Sequence, residues 1–160
     1  MGLPSSLNRG LENAKGKYIV RVDSDDFVNT NFLNFLLCYL ETNKNADAVA
    51  CDYLLLDDRE NELKRCNCKK EPIACGILFK KEHLFNIGLY DEKFRVWEER
   101  DLRIRFNKKY KIERLNIPLY RYRRHDKNLT EDVELTRHYQ INLEILGLLK
   151  NKLKIHSNFH

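Results

Sequence analysis

The sequence predicts an α/β domain, and three observations carry that reading. Segments with strand character alternate with segments of helical periodicity, the pattern of an α/β fold. A cluster of carboxylates, Asp23-Ser24-Asp25-Asp26, follows directly on an apolar β-branched run, the position at which open α/β sheets place ligands. The chain has 160 residues, enough for one domain with a real core.

Taken in order, Leu3, Leu7, Leu11 and Ala14 recur at three- to four-residue spacing and predict a first helix. Pro4 suits its first turn, and Gly16 its stop. Tyr18 to Val22 then reads as a strand running into the acidic cluster. Asn29 and Thr30 are cap candidates for a helix over residues 31–42. Ala46 to Leu56 reads as a second long strand, ended by the polar turn Asp57 to Asn61. Residues 62–72 are polar, and no element is assigned to them. Ile73 to Phe79 reads as a strand broken at Gly76, and Lys80 to Asn86 as a short helix stopped near Gly88. Glu98 to Lys108 carries acid at its start and base at its end, matching the dipole of a helix. Lys111 to Asn116 and Leu119 to Tyr122 read as two short strands around Pro118. Leu135, Tyr139, Asn142, Leu143, Leu146 and Leu149 fit a long C-terminal amphipathic helix. Residues 1–130 would form the core and 131–160 a C-terminal helix and tail.

Composition narrows the function classes. At 42% hydrophobic and 33% charged, the chain matches an ordinary folded domain. Phe32 to Leu40, the longest apolar candidate, is too short to span a membrane, and Met1 to Asn8 lacks the features of a signal peptide. A cytoplasmic location is the expectation. Five cysteines do not make a disulfide framework. Cys66-Asn67-Cys68 with Cys75 nearby lacks the second pair that a structural zinc site needs. The net charge is +5, and residues 100–127 hold eleven Lys/Arg against three Asp/Glu. That basic stretch suits phosphates, an acidic lipid surface or a solvated face. Tyr110, Tyr120 and Tyr122 would permit base stacking, but the absence of a nucleic-acid-binding motif argues against that partner.

Three motifs carry chemistry. In Asp23-Ser24-Asp25-Asp26 three carboxylates repel one another unless a cation offsets them, and oxygen ligands suit Mg²⁺ or Mn²⁺. The plain alternative is an acidic loop capping the next helix. In Trp97-Glu98-Glu99-Arg100-Asp101-Leu102, Glu98 or Glu99 can serve as a general base, or can simply complement the helix dipole and pair with arginines one turn on. In Pro118 to His125, Arg121, Arg123 and Arg124 can contact phosphate oxygens and His125 can bind phosphate or metal. The plain alternative for His125 is a surface residue.

The order of these motifs resembles the inverting glycosyltransferases of family 2, which have the GT-A fold. The resemblance begins at Leu7 to Ile19, similar to the family's Asn-x-Gly...Ala-x-Gly-x-Tyr-Ile segment, and runs into an Asp-x-Asp metal motif at Asp23 to Asp26. Cys75-Gly76-Ile77-Leu78-Phe79-Lys80, with Ile87 to Glu92, looks like the family's acceptor-side strand and turn. Glu98 to Leu102 falls where the family has Glu-Asp-x-Asp-Leu, and His125 where many members have a C-terminal histidine. The resemblance implies a partial GT-A (Rossmann-like) mixed sheet flanked by helices. It implies a nucleoside-diphosphate sugar donor and a glycan or lipid-linked acceptor, in cell-surface glycan synthesis. It further implies Mg²⁺ or Mn²⁺ held by Asp25 with Asp23, Asp26 and His125. Asp23 would also touch sugar or ribose, and Arg121, Arg123 and Arg124 would stabilise the diphosphate.

Glu99 stands where the family has Asp as base, and reach matters more than identity there; Glu98 is the lesser candidate. The family also begins with a strand-turn-helix that binds the nucleotide, followed by a second strand. This chain starts after those elements, so an exposed sheet edge is expected, either completed by a further segment, a second copy or another chain, or left incomplete in a degenerate, non-catalytic module. Peripheral contact with the inner membrane face fits the basic stretch.

Overall fold

A computed structural model describes residues 2–94 and 96–124. His125 and the C-terminal helix expected over residues 135–149 lie outside the described residues. Helix α1 spans Leu3–Asn13, β1 Tyr18–Val20, β2 Phe27–Val28, α2 Phe32–Thr42, β3 Ala48–Leu56 and β4 Glu62–Cys66. They are followed by β5 Ile77–Lys80, α3 Lys81–Asn86, α4 Glu98–Phe106 and β6 Ile112–Arg123. The strands form one mixed sheet in the order β1-β5-β3-β6-β2, with β4 also paired to β3. β3 and β6 are parallel, and the other pairs are antiparallel.

β3 is the centre of the sheet. One edge is shared by β5, against Ala48 to Ala50, and by β4, against Tyr53 to Leu56. The other edge pairs with β6 along its whole length. A strand buried on both faces must be apolar at nearly every position, and Ala48-Val49-Ala50-Cys51 meets that demand. Val49, Cys51 and Tyr53 pack on one face with Phe32, Leu36 and Leu40 of α2 and with Tyr120. Ala48 and Ala50 point the other way, into a cluster with Leu11, Leu84, Leu102 and Phe106 from α1, α3 and α4. The period of two in β3 therefore divides the core into two layers.

The structure departs from expectation at several elements. The first strand stops at Val20, because Arg21 leaves the apolar run and turns its guanidinium toward Asp23 and Glu98. The segment before Gly76 is not strand. Gly76 sits at φ +72°, a left-handed conformation that favours glycine, and β5 begins only after it. Residues 112–123 form one strand rather than two: Pro118, lacking an N–H, sits where the pairing with β3 shifts register between Cys51 and Tyr53. β2 is only two residues long, and β4 is exposed at four of its five positions, so neither carries an apolar signature. Cys66 packs in one core layer and Cys68 in the other, so the C-x-C pair does not converge on a metal. All five cysteines are free; four are buried, and Cys38 is exposed.

Candidate active site

The acidic loop is fastened from three sides. Arg21, at the end of β1, donates from Nε to Asp23 Oδ1 at 2.7 Å and from a terminal nitrogen to Asp23 Oδ2 at 3.2 Å. Its other terminal nitrogen reaches Glu98 Oε1 at 3.0 Å. Burial opposes the Arg21 charge, but the bonds and charges of Asp23 and Glu98, with a contribution from Cys75, outweigh it and raise its pKa. Arg21 thereby bridges the acidic loop and the first residue of α4. Glu98 is buried at 4% exposure, which this ion pair makes tolerable.

Tyr120 of β6 fastens the second side. Its hydroxyl accepts from the Asp23 backbone N–H at 3.2 Å and donates to Asp26 Oδ2 at 2.6 Å. The Arg123 backbone N–H donates to Asp26 Oδ1 at 2.8 Å, closing the third. Burial, with the charges of Asp25 and Asp23, raises the Asp26 pKa against these bonds. Asp26 is thus committed to the loop's attachment, whereas Asp25 is exposed at its crest.

Glu99 follows Glu98 in the first turn of α4. The residue before them, Trp97, has φ +64°, a conformation costing on the order of 1–3 kcal/mol for a bulky residue, and Arg100 stacks over its ring at 4.5 Å. Glu99 is half-buried; desolvation first, then the Glu98 charge, raises its pKa from 4.5. A carboxyl tuned upward at the edge of a site is suited to general-base work.

A carboxylate oxygen of Asp23, one of Asp26 and the Cys75 sulfur lie within 4.8 Å of one another. Burial pushes the Cys75 thiol up to about 12, so it is a protonated, soft group at neutral pH and a poor ligand for a hard cation. The carboxylates are the donors that fit Mg²⁺ or Mn²⁺. Arg121 is exposed on β6. Arg123 donates to Glu60 Oε1 at 2.6 Å and lies over Phe27 at 4.9 Å, and the Arg124 backbone N–H donates to Leu56 O. The structure thus gathers Asp23, Asp26, Glu98 and Glu99 around Arg21, with Asp25 and Arg123 on the same loop connections. Sequence reasoning passed over Arg21 and the anchoring role of Tyr120. A cation inside the apolar run Tyr18 to Val22 was the available signal for the first.

Beside the site, between α4 and the sheet, lies a pocket of about 340 Å³ lined in part by Ala50, Ile73, Cys75, Ile77 and Arg103. No helix among the described residues is long and apolar enough to cross a membrane.

Comparison with known proteins agrees with this geometry. The minor teichoic acid biosynthesis protein GgaB of Bacillus subtilis (strain 168) is 27% identical over 175 residues, covering 98% of this chain and 19% of that protein. The uncharacterized glycosyltransferase RP339 of Rickettsia prowazekii (strain Madrid E) is 28% identical over 123 residues, covering 66% of this chain and 39% of that protein. The crystal structure of S. aureus TarS 1–349 superposes with a TM-score of 0.61 at 15% identity, over 76% of this chain and 40% of that one, which shows a shared GT-A fold. The chain thus spans less than half of each of these proteins. Residues 1–108 match the family described as Glycosyl transferase family 2, and the chain belongs to that family.

Proposed function

We propose that this chain carries the metal-binding and acceptor-activating part of an inverting glycosyltransferase. The enzyme would move a sugar from a nucleoside-diphosphate sugar to a hydroxyl acceptor in cell-surface glycan synthesis. The observation that carries the reading is Arg21, which ties the acidic loop to the start of α4 and so sets the loop's carboxylates and Glu99 in one frame. Asp25, with Asp23 beside it, would hold Mg²⁺ or Mn²⁺. Bound there, such an ion offsets the charge on a departing diphosphate. Asp23 also borders sugar or ribose, Asp26 keeps the loop on β6, and Arg121 and Arg124 supply positive charge, with His125 following them in the chain. Glu99 accepts the proton of an acceptor hydroxyl as that oxygen attacks the anomeric carbon from the face opposite the diphosphate. The new C–O bond forms as the bond to the diphosphate breaks. Glu98, held by Arg21, positions the turn that carries Glu99. The relation to a teichoic acid biosynthesis protein supports a cell-surface glycan as product, and the basic stretch after residue 100 supports work at the inner membrane face.

The test is Mn²⁺ binding by calorimetry together with nucleotide-sugar hydrolysis and transfer, for wild type and Asp25→Ala. Asp25→Ala is expected to lose both ion binding and turnover. Equal binding and turnover in the two proteins would sink the metal assignment.

A second reading is a partner-dependent, non-catalytic module. It rests on β1, which is at the end of the sheet and pairs only with β5 among the described residues. A segment or second chain added at that edge would complete the sheet beside the acidic loop. Nucleotide-sugar binding that appears only when a second polypeptide is supplied favours this reading; binding by the chain alone removes it.

A further inference from the structure

Glu99 and Arg103 are one turn apart on α4, and side chains at that spacing share a face of the helix. The pocket under that face has apolar walls from Ala50 and Ile77 of the sheet and from Pro72 and Ile73 of the loop before β5. Arg103 and Lys69 bring positive charge to it. The cations of α4 have different neighbours. Arg105 pairs with Asp101 at 2.6 Å, and Arg100 stacks on Trp97. The Arg103 side chain has no carboxylate in ion-pair range among the described residues, and its guanidinium donates to the Ile73 carbonyl.

Burial lowers the Arg103 pKa from its usual value, and the more distant Glu99 charge offsets this only in part. A guanidinium taken from water without a counter-charge is costly. Its remaining donors form a planar fork that fits a carboxylate or a phosphate. Lys69, at the rim, is 3.7 Å from Glu113, too long for a tight hydrogen bond. Cys75 lines the pocket and also adjoins Asp23 and Asp26, so the pocket borders the acidic loop.

We propose that this pocket recognises an acceptor carrying an anionic group, a phosphate ester or a carboxylate, seated on Arg103 with an acceptor hydroxyl directed toward Glu99. The assignment of the ligand as acceptor rests on Glu99 being the base; the anion preference of the pocket does not.

Calorimetric titration of the chain with glucose, glucose 6-phosphate, glucuronate and inorganic phosphate separates the two. In wild type at least one of the two sugar anions is expected to bind about 10-fold or more tighter than glucose, the range of a charge-assisted hydrogen bond. Whichever anion is preferred identifies the source of the charge. Arg103→Gln is expected to erase the preference and Arg103→Lys to keep part of it. Pro72→Glu, at an exposed rim position, is expected to weaken anion binding without touching α4. Equal affinity for glucose and both sugar anions, or a preference that survives Arg103→Gln in folded protein, overturns the proposal. Glu99→Gln is the separate control: anion binding retained with transfer unimpaired would reject the base assignment alone.

Discussion

At the scale of single residues, the site divides its carboxylates by what holds them. Asp26 is bonded through both oxygens, Asp23 is clasped by Arg21, and Glu98 is buried against the same guanidinium. Glu99 is the half-buried carboxyl whose desolvation leaves a raised pKa. A base must be ionised to accept a proton, and a raised pKa moves ionisation to higher pH. The acid limb of kcat/KM is therefore expected to have its midpoint above 4.5, with activity rising through it as the pH increases. Glu99→Gln should reduce turnover by about 100- to 10,000-fold and leave donor binding unchanged, as loss of a general base does. A pH–rate series on both proteins checks this, and an acid limb at or below the ordinary glutamate value would remove Glu99 from the role. In the sequence the two glutamates are chemically alike, and only the family resemblance favours Glu99; in the structure burial also separates them, because Glu98 is held by Arg21, 77 residues away.

At the scale of elements, β6 does two jobs. It pairs with β3 along its whole length, and its second half also holds the acidic loop through the Tyr120 hydroxyl and the Arg123 backbone. Tyr120→Phe keeps the ring's packing against Phe32 but strands a partner of Asp26 and of the Asp23 N–H. A loss of about 1–3 kcal/mol in urea unfolding is expected for such a deletion, with weaker Mn²⁺ binding as the loop loosens. Unchanged stability would mean that the loop is held elsewhere. Helix α1 is legible from its apolar spacing, α2 from the cap candidates Asn29 and Thr30, α4 from its acidic start and basic end, and β3 from an apolar run that Asp52 alone interrupts. Pro118 argues against an interior strand and so divides β6 in two on sequence grounds, whereas the register shift that accommodates it is a property of the pairing with β3, not of the local sequence. β4 was invisible because an edge strand with one buried residue, Cys66, has no alternation to detect.

At the scale of the whole molecule, one buried charge links distant parts of the sheet. Asp52 of β3 receives Arg114 Nε at 2.8 Å, Arg65 at 3.3 Å and the Cys68 N–H at 3.2 Å. Burial works against its charge, yet the Arg114, Cys68 and Arg65 partners outweigh burial and hold its pKa below 3.8. The unfolded chain then binds the proton more readily than the folded one, so this contribution to stability is complete above pH 3.8 and is lost as the pH falls through the lower folded value. Asp26 and Glu99, with raised values, act in the opposite sense. Comparing urea midpoints of wild type and Asp52→Asn from neutral to acid pH isolates the term. The gap between them should narrow as the pH drops below the ordinary aspartate range, and a constant gap would assign Asp52 a purely steric role.

The distribution of the thiols has a practical consequence. Burial pushes Cys51 and Cys75 to about 12 and Cys68 to about 11, and Cys66 is enclosed in the core, whereas Cys38 faces solvent on α2. In native protein a maleimide should therefore couple once, at Cys38, and five times after full unfolding, which mass spectrometry would count; a second native adduct would show that a core layer opens. A fluorophore attached at Cys38 would sit on the outer side of the helix whose inner side, through Phe32, packs on Tyr120. Without any engineered residue, the chain carries a single labelling position from which movement of the acidic loop's anchor can be followed.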